Sequence, residues 1–388
     1  MTPATIANLV SRAGDRVGGG EFLDRSFEEG LAVLLDSISR CDRITPEGHE
    51  RLTESIIVHL ARRLEIDRYV GNRPELMDTP IERPVFVMGM PRTATTAVIN
   101  LLAQDPARRT VLRWTLENPV PPPEADQLHS DPRCLIALDR QRRSIEDGLP
   151  GANIRFEWAD SPAECVHVMN HDFKSMQWEA SAPMPEYTDF IYSCDMTSAY
   201  TFHRRFLQVL QSRAPGTWAL KGPSHTLWLP TLLAVYPDAR LVWTHRDPCT
   251  AVASLCSLVA NAHRRNCTEA NHAYIGQRIP AGVAEHVRRP MAMLDKLSDR
   301  IHHIHFADFI GNEIGAMRDL YRWLGNELTP EVETGMERWL GERRQAQLGE
   351  HHYSLSDFGL SRKVVAPMFE DYTECFDINM DEARERRS

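Results

Sequence analysis

At three places in this chain an apolar run too short for a helix meets a polar turn, and a helix pattern follows at once. The first is Pro84-Val85-Phe86-Val87-Met88-Gly89, then Met90-Pro91-Arg92-Thr93-Ala94-Thr95-Thr96, then Val98, Leu101 and Leu102 at helical spacing. The second is Thr217-Trp218-Ala219-Leu220, followed by Lys221-Gly222-Pro223-Ser224-His225. The third is Arg240-Leu241-Val242-Trp243-Thr244, followed by His245-Arg246-Asp247-Pro248 and a helix carrying Val252, Leu255 and Val259. Strands that are apolar at successive positions are buried on both faces, as in a parallel sheet covered by helices. Strand–helix alternation with short turns prunes the topologies further. The predicted class is α/β: three layers, with a central parallel sheet flanked by helices. A fourth strand is expected at Ile301 to Phe306.

The flanks read as helical. Phe27, Leu31, Leu34, Leu35 and Ile38 share one helical face, as do Leu52, Ile56, Ile57, Leu60 and Leu64 behind the start signal Thr45-Pro46-Glu47. Residues 1–80 are therefore assigned as a helical extension and 81–360 as the α/β domain. Within that domain 130–215 is a helical insert on the acceptor side, and 361–388 is a tail. Asp105-Pro106 stops the helix after the first junction, and the run Glu117-Asn118-Pro119-Val120-Pro121-Pro122-Pro123 is extended. Two later helices fit Gly315–Leu324 and Pro330–Leu340.

Charge narrows the function. Among 388 residues Lys plus Arg is 44 and Asp plus Glu is 54, a net charge of −10, which disfavours non-specific nucleic-acid binding. Paired arginines such as Arg343-Arg344 are dispersed and read as solvated helix faces. The eight cysteines form no C-x-x-C pair and no zinc spacing, so they read as reduced thiols in the cytoplasm, with no metal expected. His302, His303 and His305 read as structural. No apolar run is long enough to span a bilayer. Nothing in the sequence sets the oligomeric state.

Ligands of open parallel sheets bind beyond the carboxyl ends of the strands. All three polar clusters follow such ends, so adjacent strands would bring them together. The first supplies a helix N-terminus, the hydroxyls of Thr95 and Thr96 and the cation Arg92, a set suited to a phosphate. It lacks the G-K-[ST] ending of a Walker A loop. In the third, Arg246 follows the strand and Ser254 lies eight residues on, which suits a second phosphate. Equally, Arg246 could cap a carboxylate and Ser254 could bond its own helix. The second offers Lys221 and a histidine, His225, in position to accept a proton.

Together these segments resemble the sulfotransferases that use 3′-phosphoadenosine-5′-phosphosulfate (PAPS), in particular their bacterial, actinobacterial-type branch. The family's phosphosulfate loop, P-[KR]-[ST]-G-T-T, is matched by Pro91-Arg92-Thr93-Ala94-Thr95-Thr96. Its 3′-phosphate motif is matched by Arg246 and Ser254, and the branch's L-K-x-P-x-H run by Leu220 to His225. Tyr236-Pro237-Asp238-Ala239 and the tail run Tyr353-Ser354-Leu355-Ser356-Asp357-Phe358-Gly359-Leu360 are similar to further segments of the branch. The likeness spans about 84–360, in order. It implies a P-loop-like fold, PAPS as donor, a hydroxyl acceptor and in-line transfer without a metal. One position departs: Ala94 stands where the family has glycine, which is tolerable only if φ is negative and the methyl points away.

The resemblance implies that Arg92 and the loop amides stabilise charge on the leaving phosphate, and that Lys221 bridges to the transferring group. His225 is favoured as base over Glu117, which follows the loop helix where some branches place a catalytic glutamate. Aromatic residues of the insert (Phe156, Trp158, Phe173, Trp178, Tyr187, Phe190 and Tyr192) would suit an apolar or lipid-like acceptor, with most of them expected in the core. The rival readings are a P-loop-like small-molecule kinase and a non-catalytic module that binds the desulfonated nucleotide, 3′-phosphoadenosine-5′-phosphate (PAP).

Overall fold

Every residue of Val85–Gly89 (β1) is buried, as an all-apolar strand requires. In the computed structural model, which describes residues 5–147, 158–297, 299–345 and 354–380, β1 is the middle strand of five. The others are Arg108–Arg109 (β2), Thr217–Lys221 (β3), Arg240–His245 (β4) and Ile301–His305 (β5), in the order β2-β3-β1-β4-β5. β1 runs parallel to β3, with Val87 opposite Lys221, and parallel to β4, with Gly89 opposite Thr244. β5 continues the sheet in parallel beyond β4. The chain leaves β1 for β2 and β3 on one side, then crosses to β4 on the other. That reversal makes the carboxyl end of β1 a switch point, where ligands of such sheets bind. The central parallel sheet flanked by helices is thus the expected fold. The fourth expected strand ends one residue early, since Phe306 opens the short helix Phe306–Phe309.

Two compact units divide the chain: 1–82 with 110–217 and 262–270, and 83–109 with 218–261 and 271–388. The second holds the sheet core. On one face Val85 and Val87 pack with Val98 and Leu101 of helix Thr95–Leu102, Leu320 of Glu313–Leu324 and Met336 of Pro330–Gln345. Each such side chain contributes about 1.5–3 kcal/mol on burial. Alternation sends Phe86 to the other face, where its ring lies 5.2 Å from Tyr236 and 4.9 Å from His225.

The first unit is helical. Thr45 caps helix Pro46–Gly71 by accepting the Gly48 amide at 3.0 Å, which confirms the start signal. Past Leu64 the helix still buries Ile66 and Val70, and on the same helix Arg63 and Asp67 enter an ion network. Arg63 donates to Asp172 at 2.8 Å and to Asp24 at 2.7 Å, and Arg205 donates to Asp67 at 2.7 Å and to Asp24 at 2.8 Å. Burial opposes ionisation of Asp24, yet the Ser26 hydroxyl and the two guanidiniums hold its carboxyl well below the usual range. Helices Pro132–Glu146, Pro185–Ser193 and Thr197–Gln211 lie in the segment expected to be helical. Of the insert aromatics, Phe173, Trp178 and Tyr187 are core, with the Tyr187 hydroxyl donating to the Phe173 carbonyl at 2.7 Å. Phe156 lies outside the described residues.

Candidate active site at the strand ends

Close packing of β1 against β4 dictates the start of the loop. Gly89 has φ +148°, and a β-carbon there would stand 2.5 Å from the Thr244 carbonyl oxygen. Only glycine lets the strands approach this closely while the chain turns out of the sheet. Pro91 and Arg92 follow at the surface. Thr93 is fully buried, and its hydroxyl donates to the Met90 carbonyl at 2.7 Å and lies 2.5 Å from the Thr244 hydroxyl. This hydroxyl ties the loop to β4, so any ligand contact at Thr93 falls to its backbone. The condition of a negative φ at Ala94 is not met: Ala94 has φ +73° and Arg92 has φ +72°, both in the left-handed region. The loop keeps the conformation that glycine would adopt and carries the strain of a methyl group instead.

Helix Thr95–Leu102 then starts with its N-terminus at the loop. Thr95 is buried, and the Thr96 hydroxyl accepts from the Lys221 ammonium at 3.0 Å. Lys221 comes from the end of β3 and is fully buried. From the end of β4, Arg246 donates to the Arg92 carbonyl at 3.0 Å, and its guanidinium lies 4.0 Å from the centre of the Phe306 ring. Ser254, on helix Pro248–Asn266, accepts from Nε of Arg92 at 3.1 Å. The strand order thus joins the three clusters into one constellation: Arg92 meets both Arg246 and Ser254, and Lys221 meets Thr96.

His225 sits in the turn Pro223–Trp228 beyond β3, with its ring fully buried. The ring packs edge-on to Phe86 and directly against Gly222, where a β-carbon would stand 2.7 Å from Cδ2 and 2.8 Å from Nε2. Glu117 belongs to the other unit, where it is half-exposed and paired with Arg140 at 2.5 Å.

Three contributors lie outside the sequence motifs. Arg343 is half-buried rather than on a solvated face; its guanidinium lies 5.3 Å from the Trp339 ring centre, and burial, with the nearby Arg92 charge, lowers its proton affinity. Arg362 pairs with Asp247 at 3.1 Å, and the Tyr372 hydroxyl accepts the Arg246 amide at 3.4 Å. Such contacts join residues with no sequence spacing in common, so no motif announces them. Among the described residues no group of three or more His, Cys, Asp or Glu could hold a metal ion, and no helix is long and apolar enough to cross a membrane.

Known proteins bear on this geometry. A family model described as "Sulfotransferase family" matches residues 84–330. The chain is 36% identical to sulfotransferase STF9 from Mycobacterium avium, whose crystal structure matches with a TM-score of 0.91 over 97% of each chain. It is 31% identical to sulfotransferase STF1 from Mycobacterium tuberculosis H37Rv, with a TM-score of 0.84 over 95% of this chain and 99% of that one. No curated protein matches it. Because the family model runs from the first strand to beyond the fifth, and both mycobacterial enzymes match nearly end to end, the chain belongs to the sulfotransferase family and is an enzyme.

Proposed function

We propose that this enzyme moves a sulfuryl group from PAPS to a hydroxyl of a small, apolar or lipid-like acceptor. The observation that carries the reading is the link from Arg92 to both Ser254 and Arg246. It makes one site of two phosphate-binding groups that lie far apart in sequence. The donor set fits a doubly phosphorylated nucleotide: guanidiniums, an ammonium, hydroxyls and a helix N-terminus are all suited to anionic oxygen. PAPS would supply an activated sulfuryl group with a phosphate as its leaving group.

In this reading Pro91, Arg92, Thr93, Ala94, Thr95 and Thr96 form the 5′ cradle, with Arg92 and Lys221 offsetting charge that grows on the leaving oxygen. Arg246 and Ser254 hold the 3′-phosphate. His225 accepts the acceptor's proton, and Glu117 is the alternative base. No metal is assigned a role. Trp158 is 42% exposed, and Phe190 and Tyr192 are half-buried; these rings remain for an apolar acceptor once Phe173, Trp178 and Tyr187 are given to the core. Eight free thiols fit the reducing cytoplasm.

The test is incubation with labelled PAPS and an extract of cell lipids and metabolites, followed by mass spectrometry. A new species heavier by one sulfuryl group, absent with the Arg92→Ala variant, is the expected result. Transfer from ATP but not from PAPS would refute the donor.

A further inference from the structure

Residues 362–376 fix three consecutive residues at the end of β4. The Tyr372 hydroxyl lies 3.1 Å from Nδ1 of His245, and the Phe376 ring stacks on the same imidazole at 4.2 Å. The backbone amide of Arg246 donates to the Tyr372 hydroxyl at 3.4 Å. Arg362 pairs with Asp247 at 3.1 Å. Asp247 in turn accepts the Thr250 hydroxyl at 2.6 Å and the Cys249 amide at 3.0 Å, so it is anchored at the start of the next helix.

The Tyr372 oxygen accepts from the Arg246 amide and shares a hydrogen bond with Nδ1 of His245, whose Nε2 shares another with Nδ1 of His303 at 2.8 Å, a pair of neutral imidazoles. Burial supports this neutral pair, lowering His245 to about 2 and His303 to about 4. Tyr372 is 1% exposed, so water does not compete for these bonds.

We propose that Tyr372 and Arg362 are positioning residues for the 3′-phosphate, holding the backbone of Arg246 in its binding arrangement without touching the nucleotide. A guanidinium on a fixed loop loses little freedom when it meets its anion, whereas one on a loose loop must be ordered at the cost of affinity. This inference rests on the reading of Arg246 and Ser254 as the 3′-phosphate ligands. It adds that selectivity for a nucleotide carrying that phosphate is set partly by the C-terminal segment.

The experiment compares equilibrium binding of PAP and of adenosine 5′-monophosphate, which lacks the 3′-phosphate, by calorimetry. Wild type, Arg246→Ala, Tyr372→Phe and Arg362→Met are measured, each with its melting temperature. Loss of one hydrogen bond corresponds to a drop in PAP affinity of about five- to tenfold in Tyr372→Phe, with monophosphate binding unchanged. Arg362→Met should move the same way and serves if Tyr372→Phe does not fold. If Arg246→Ala loses the preference for PAP while the tail variants keep it, the positioning role is overturned and the site reading survives. Equal weakening of both nucleotides in the tail variants also overturns it, since general destabilisation does that. If Arg246→Ala keeps the preference, the site reading fails and the inference fails with it.

Discussion

Replacing Gly222 by alanine tests the proposed catalytic role of His225 without substituting His225. The backbone at Gly222 is extended, with φ −169°, so alanine brings no torsional strain there. The whole effect is the new methyl. It would stand 2.7 Å from Cδ2 and 2.8 Å from Nε2 of the imidazole, which is about 0.8 Å inside ordinary carbon contact. The ring is fully buried, with Phe86 at 4.9 Å, and cannot step aside freely. Overpacking of this kind costs about 1–3 kcal/mol, visible as a melting temperature lower by a few degrees. A reacting group displaced by about 1 Å costs roughly 10²-fold in rate. The expected Gly222→Ala enzyme therefore has kcat reduced about 10- to 100-fold at saturating donor and acceptor, with PAP affinity within a factor of two of wild type. A melting temperature that falls while kcat stays normal would remove His225 from the chemistry. No change in either would show that the ring is not pressed against Gly222 at all.

Three further expectations use other parts of the fold. His225→Ala should abolish most turnover while keeping PAP binding, and Glu117→Ala, which breaks only an exposed pair with Arg140, should leave both intact; the reverse pattern in matched kinetic and binding assays would make Glu117 the base. Ala94→Gly relieves a left-handed alanine worth about 1–2 kcal/mol against an unfolded-state cost of about 0.4–1 kcal/mol, so urea unfolding should show a gain of up to about 1.6 kcal/mol; a clear loss would mean the Ala94 methyl packing outweighs the strain. Arg63→Met leaves Asp172 buried without its guanidinium partner, while Asp67 keeps Arg205, so stability in urea should fall by about 3–5 kcal/mol; a gain would mean that the desolvation of the network outweighs its attraction.

The sheet was legible where burial left a mark on composition. β1, β3 and β4 are near-continuous apolar runs because helices cover both faces. β2 left no such mark: it is Arg108 and Arg109 at the edge of the sheet, with the Arg109 guanidinium 5.5 Å from the Trp218 ring centre of β3. Helix Pro46–Gly71 was legible at its cap but not at its end, where the buried Asp67 interrupts the apolar pattern of Ile66 and Val70. In the site, Arg92, Lys221, Arg246 and Ser254 could each be singled out from their place after a strand. Their partners could not. Ser254 bonds Arg92, from a different strand end, instead of the Arg246 with which it shares a spacing. The sign of φ at Ala94 was likewise hidden, because one substitution does not reveal whether a backbone relaxes or holds. The core status of Phe173, Trp178 and Tyr187 depends on what packs over them, and an aromatic-rich stretch reads the same in either case.

The order of the strands also bears on how the protein is made. Val85 pairs with Ala219, and the whole helical unit's segment 110–217 is synthesised between them. At ribosomal speeds of about 5–20 residues per second, a gap of roughly 130 residues leaves β1 waiting on the order of 10 s for its neighbour. During that interval five consecutive residues destined for the interior have no sheet to join. The nascent chain is thus most exposed to aggregation midway through translation, and a holding chaperone would matter most in that window.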